Sequence, residues 1–257
     1  MSTEDVTAAE TLAVPTPSSG PPGHQPVASY LHTALVILIV GAVGALSAMG
    51  AKQFQTVRGP VVTYVPSLIW LWLLFGLVVL GIKLRHGSVR EVIGGGWNGF
   101  DDALMDVVIA AIFWVVALLA LAGMAWALSH IQRINVQDAT RELRGLAPRG
   151  ALGITIWIAL SMSAGFVEEF VFRGYLQRQF TALTQSAALG VIISAAIFSV
   201  GHLYQGVAKA VIIGVYGAMF GTLAVYRKSL RPGMFAHAWH DIFSGIVLSL
   251  LSSQALK

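Results

Sequence analysis

From residue 30 onward the chain alternates long apolar runs with short polar breaks. The runs fall at 31–50, 64–83, 103–128, 151–176, 186–203, 207–226 and 233–252. A helix that crosses a bilayer needs about 20 predominantly apolar residues, whereas a membrane-barrel strand needs about ten with strict alternation. None of these runs alternates. The pattern predicts an all-α, polytopic transmembrane bundle of about seven membrane helices with a polar site inside it. The fourth run is expected to break or tilt near Gly165.

The polar breaks divide the chain into three parts. Residues 1–29 are polar and hold Pro15, Pro17, Pro21, Pro22 and Pro26, which predicts a disordered tail. It has neither the basic start nor the apolar stretch of a signal peptide. Residues 30–149 read as N-terminal membrane helices followed by a connector. Within 129–150, Arg133, Asp138, Arg141, Glu142, Arg144 and Arg149 alternate with Ile131, Ile134, Val136, Leu143 and Leu146, as in an amphipathic segment on the membrane surface. Residues 150–257 read as the functional core. Gly41 with Ala45, and Gly217 with Gly221, have the spacing of close helix packing.

Composition agrees with the pattern. The 257 residues are 56% hydrophobic and 11% charged, against about 25% charged in soluble domains. The net charge of +4 comes from Lys and Arg scattered through loops, which fits lipid headgroups and not nucleic acid. Basic residues count nearly equally on the two sides of a seven-helix arrangement, so the positive-inside rule does not orient it. The chain has no cysteine, which removes disulfides, thiolate catalysis, cysteine-ligated metals and self-prenylation.

Against this apolar background a few ionisable residues stand out, because each costs at least about 2.5 kcal/mol at the bilayer centre. Glu168, Glu169 and Arg173 lie within six residues of one another. On an α-helix Glu169 and Arg173 share a face and pair, which leaves Glu168, about 100° away, to face a polar cavity. His202 follows Phe198 by four residues. His237 and Asp241 are likewise four apart, so Asp241 is placed to orient the imidazole. His240 lies beside them. One carboxylate base, two imidazoles and an orienting carboxylate can activate water and hold an oxyanion. Glu168, His202, His237 and Asp241 are equally a ligand set for a divalent metal such as zinc. There is no His-Glu-x-x-His, Gly-x-Ser-Gly or Gly-x-Gly-Asp. Asp106, beside Asp101 and Asp102, reads as interfacial. A Glu/His/Asp chain would also suit a proton-coupled transporter, but no inverted repeat is visible.

Glu-Glu-x-x-x-Arg at 168–173, Phe-x-x-x-His at 198–202 and His-x-x-x-Asp at 237–241, in this order on successive apolar helices, resemble the CPBP family. These are the CAAX prenyl endopeptidase and bacteriocin-processing (Abi) intramembrane proteases. Phe172, Arg173 and Gly174 complete the resemblance, which covers residues 150–252. It implies an intramembrane endopeptidase acting on membrane-proximal or lipidated peptides. Glu168 and His202 would activate water, His237 and Asp241 would hold the oxyanion, and Glu169 with Arg173 would shape the site. Metal-dependent and metal-free mechanisms both fit the motifs. Asp241 stands where the CAAX-processing branch has Asn. Compactness and that Asp suggest a bacterial cytoplasmic membrane. A non-catalytic scaffold or bacteriocin-immunity protein on the same fold is the competing class.

Overall fold

A computed structural model describes residues 25–50, 59–132 and 147–254. Nearly all of the polar tail at 1–29, and most of the expected surface connector at 129–150, lie outside the described residues.

Every regular element among the described residues is helical. The elements are α1 (Tyr30–Gly50), α2 (Pro60–Lys83), α3 (Val89–Ile93), α4 (Phe100–Gln132), α5 (Gly150–Glu168), a π-helical segment (Glu169–Leu176), α6 (Gln177–Thr184), α7 (Ala187–Gly201), a 3₁₀ turn (Leu203–Gln205), α8 (Val207–Arg227) and α9 (Arg231–Gln254). Among the described residues, six spans are long and apolar enough to cross a membrane, with α5, the π segment and α6 forming one of 35 residues. The seventh apolar run forms α7, whose 15 residues extend about 22 Å at 1.5 Å each, short of a bilayer core of about 30 Å.

The helix ends sort into two groups. At one end, Arg227 at the close of α8 meets Asp106 near the start of α4 at 2.8 Å. The Leu230 amide donates to the Ile93 carbonyl at 2.9 Å. Gly94 has φ +107, and a Cβ there would lie 2.6 Å from the Lys228 carbonyl oxygen, so only glycine suits this crossing. At the other end α7 stops beside α1. A Cβ on Gly44 would sit 2.9 Å from the Val200 carbonyl oxygen, whereas Gly41 has nothing within 4 Å. The close packing expected at Gly41 and Ala45 is therefore made by Gly44, one turn further along.

The break expected near Gly165 begins at Glu169, and Gly165 itself has another role. Gly165 is within regular α-helix, and a Cβ on it would lie 2.7 Å from the Ala238 nitrogen and the Met234 oxygen of α9. This glycine is a helix crossing, and it brings α5 and α9 together at the depth of the polar residues. The winding changes at Glu169, where hydrogen bonding loosens to i→i+5 for eight residues. Every residue from Glu169 to Leu176 is buried. The Ser194 hydroxyl donates to the Phe172 carbonyl at 2.7 Å, giving the loosened backbone a partner. A large core of Val36, Ile82, Val167, Phe170, Phe172, Tyr175 and Phe198 surrounds the segment.

Candidate active site

The π segment places Glu169 and Arg173 at the centre of the bundle, 1% and 2% exposed. Arg173 Nη1 donates to Glu169 Oε1 at 3.0 Å, as the spacing predicts. Its Nη2 donates to the Gly217 carbonyl at 3.0 Å. The guanidinium also lies 4.6 Å from the Phe198 ring centre and 5.4 Å from that of Phe220. The cation is thus hydrogen-bonded and covered by two aromatic faces, the conditions under which a buried charge is tolerated. One turn on, Gln177 Nε2 donates to the Gly221 carbonyl at 3.0 Å. Gly217 and Gly221 therefore do more than let helices approach. With no side chains of their own, they open α8 carbonyls to Arg173 and Gln177.

Glu169 has a second partner that the spacing alone does not reveal. His237 Nδ1 lies 3.0 Å from the same Oε1 atom, in a buried contact from α9 to the π segment. His237 Nε2 faces outward, 3.7 Å from Glu168 Oε2 and 3.8 Å from Asp241 Oδ2. The carboxylate that fixes the imidazole is thus Glu169 across the helix interface, not Asp241 one turn away on the same helix. At 3.8 Å, Asp241 lies beyond hydrogen-bond range of the ring.

Exposure separates the two glutamates as expected. The Glu168 side chain is 16% exposed and that of Asp241 31%, while Glu169 is sealed. Glu168 and Asp241 line an open side of the site, and Glu169 with Arg173 form its floor. Trp157 on α5 donates from Nε1 to the Asp241 carbonyl at 2.9 Å, tying the two helices together beside the site.

His202 ends α7 and reaches the group through Phe198. The Phe198 ring centre is 4.5 Å from that of His202 and 6.4 Å from that of His237. His202 Nδ1 lies 2.8 Å from the Phe198 carbonyl. A carbonyl can only accept, so Nδ1 carries the proton and Nε2 of the neutral ring is left as a base. His240 stands apart. Its ring packs on Tyr216 with centres 5.0 Å apart, and its buried Nδ1 has no hydrogen-bond partner among the described residues.

Asp106 lies outside this group. It is 2% exposed and held at the Arg227 end by Arg227 at 2.8 Å, Arg231 at 3.6 Å and Trp97 Nε1 at 2.9 Å. The basic stretch 227–231 turns two of its arginines onto this carboxylate. Among the described residues, no group of three or more His, Asp or Glu side chains is arranged to hold a metal ion. The four side chains that the motifs offer as ligands do not form such a group, so they do not fit a metal in this arrangement.

Residues 150–243 match the family model described as Rce1-like, type II CAAX prenyl endopeptidase. This segment, from α5 into α9, is thus similar to Rce1-like domains, consistent with the CPBP family that the three motifs resemble. No curated protein and no solved structure matches the chain.

Proposed function

We propose that this multi-pass membrane protein is an intramembrane endopeptidase that hydrolyses peptide bonds of membrane-proximal or lipidated substrates. The observation that carries the reading is the division between two adjacent carboxylates within a segment similar to Rce1-like domains. Glu169 is locked between Arg173 and His237, while Glu168 faces His237 Nε2 and remains partly exposed.

Water is held between Glu168 and His202 Nε2. As its oxygen bonds to the scissile carbonyl carbon, its proton passes to Glu168 and the π electrons move to the carbonyl oxygen. Collapse of the tetrahedral intermediate restores the carbonyl and breaks the C–N bond. The amine leaves with the proton from Glu168. His237 donates to the oxyanion. With Nδ1 committed to Glu169, it can offer Nε2–H only as an imidazolium, and the neighbouring Glu168 and Asp241 carboxylates supply counter-charge. Such general-base assistance contributes about 10²–10⁴-fold.

The test is cleavage of a quenched peptide library, lipidated and unlipidated, by protein purified in detergent. Wild type, Glu168→Gln and chelator-treated samples run side by side. The reading expects cleavage that Glu168→Gln abolishes and chelator leaves intact. Chelator sensitivity would replace the metal-free mechanism, and a folded wild type that cleaves nothing would favour a non-catalytic scaffold.

A further inference from the structure

The proposed reaction needs more hydrogen-bond donors at the oxyanion than the motif residues supply. Arg173 spends Nη1 on Glu169 and Nη2 on the Gly217 carbonyl. His237 spends Nδ1 on Glu169 and has one nitrogen left. Glu168 and Asp241 as carboxylates only accept. A single donor is a weak oxyanion site beside the Asp241 carboxylate, which repels the developing charge.

The 3₁₀ turn Leu203–Gln205 directly follows His202 and packs on α1. It carries Tyr204, whose ring centre lies 6.0 Å from that of His202. Gln205 Nε2 donates to the Tyr204 hydroxyl oxygen at 3.1 Å. That bond occupies a lone pair and leaves the O–H proton free to be given elsewhere. The residue is 42% exposed, so a substrate can reach it. Its hydroxyl end is nonetheless crowded by protein, which pushes its pKa above the ordinary phenol value. The Gln205 hydrogen bond opposes this, and the charges of Glu168 and Asp241 add to it. The phenol therefore stays protonated at neutral pH, one ring away from His202.

We propose that the Tyr204 hydroxyl is a catalytic hydrogen-bond donor to the oxyanion formed when water adds to the scissile carbonyl. This rests on the endopeptidase reading. No proton is transferred. The phenol O–H shortens its contact to the carbonyl oxygen as negative charge develops there, and relaxes when the carbonyl reforms. The 3₁₀ turn thus serves both steps, holding His202 beside the water and Tyr204 beside the oxyanion. The arrangement also explains how a site with Asp at 241, which brings no side-chain donor, can stabilise the intermediate.

The experiment measures kcat and KM of Tyr204→Phe on a peptide that the wild type cleaves, with thermal unfolding in the same detergent. Removing one oxyanion donor costs about 10²–10³ in kcat at a sealed site, and the exposure of Tyr204 reduces the expected loss to about 10- to 100-fold. KM should stay within about twofold, because the bond strengthens only in the transition state. Phe keeps the ring, so the unfolding temperature should not move. In an Asp241→Asn background, where an amide N–H becomes available, the Tyr204→Phe loss should shrink. A kcat within twofold of wild type overturns the proposal, as does a rise in KM alone, which would make Tyr204 a ground-state contact. If Glu168→Gln is inactive while Tyr204→Phe is not impaired, the endopeptidase reading stands and only this proposal falls. If the folded wild type cleaves nothing, the reading falls and takes the proposal with it.

Discussion

Replacing Arg173 with Met removes a cation of similar length from the most enclosed part of the bundle. Glu169, 1% exposed, loses its 3.0 Å partner, and the Gly217 carbonyl loses its 3.0 Å donor. The two aromatic faces lose the guanidinium. Breaking one side of a buried ion pair costs about 3–5 kcal/mol, because the remaining charge stays buried and uncompensated. Within membranes single polar contacts average nearer 0.6 kcal/mol, but here a charge is orphaned and the upper range applies. The double variant Glu169→Leu/Arg173→Met removes both charges and should recover most of that loss. Activity should stay absent, since His237 Nδ1 then has no carboxylate to hold it. Reversible unfolding in mixed micelles reads stability, and peptide cleavage reads activity. The reasoning fails if Arg173→Met is less than about 1 kcal/mol destabilised, or if the double variant is no more stable than the single one.

Other outcomes follow from the same contacts. Gly165→Ala would place a Cβ 2.7 Å from backbone atoms of α9 that cannot step aside, so it should cost about 1–3 kcal/mol and lower activity as Glu168 and His237 separate, read by unfolding and cleavage together. His202→Gln should leave unfolding nearly unchanged but reduce kcat by about 10²–10⁴-fold by removing a base. Asp106→Asn, at the far end of the bundle, should lower the unfolding temperature by loosening Arg227, Arg231 and Trp97. The activity of the fraction that remains folded should be unaltered, a result that a proton pathway through Asp106 would not give.

Much of the architecture is legible in the sequence because apolar length is a strong signal. All seven apolar runs form helices, and only α7 is too short to span. The Glu169–Arg173 pair and the exposed position of Glu168 follow from spacing and from the cost of burying an unpaired charge. Three features do not. The π segment breaks the 3.6-residue period on which face assignments rest, and nothing local in Glu169–Leu176 announces it. The His237–Glu169 bond joins residues 68 positions apart, whereas Asp241, four away, offers a plausible but longer contact. Tyr204 falls in a turn just past a motif, where an aromatic reads as interfacial. Its signal was its adjacency to His202. Gly217 and Gly221 were legible as packing residues, but their exposed carbonyls appear only once Arg173 and Gln177 are seen to bind them.

The most direct test of the central claim is the rate of single-turnover cleavage by Glu168→Gln against Glu169→Gln, with unfolding measured for each. The account predicts that Glu168→Gln retains wild-type stability and loses at least about 10²-fold in rate, because the amide cannot accept the proton from water. Glu169→Gln, which leaves Arg173 without its carboxylate, should be destabilised as well as impaired. Cleavage by Glu168→Gln at the wild-type rate would contradict the account, since the base would then have to be another group, such as the Asp241 carboxylate 3.8 Å from His237.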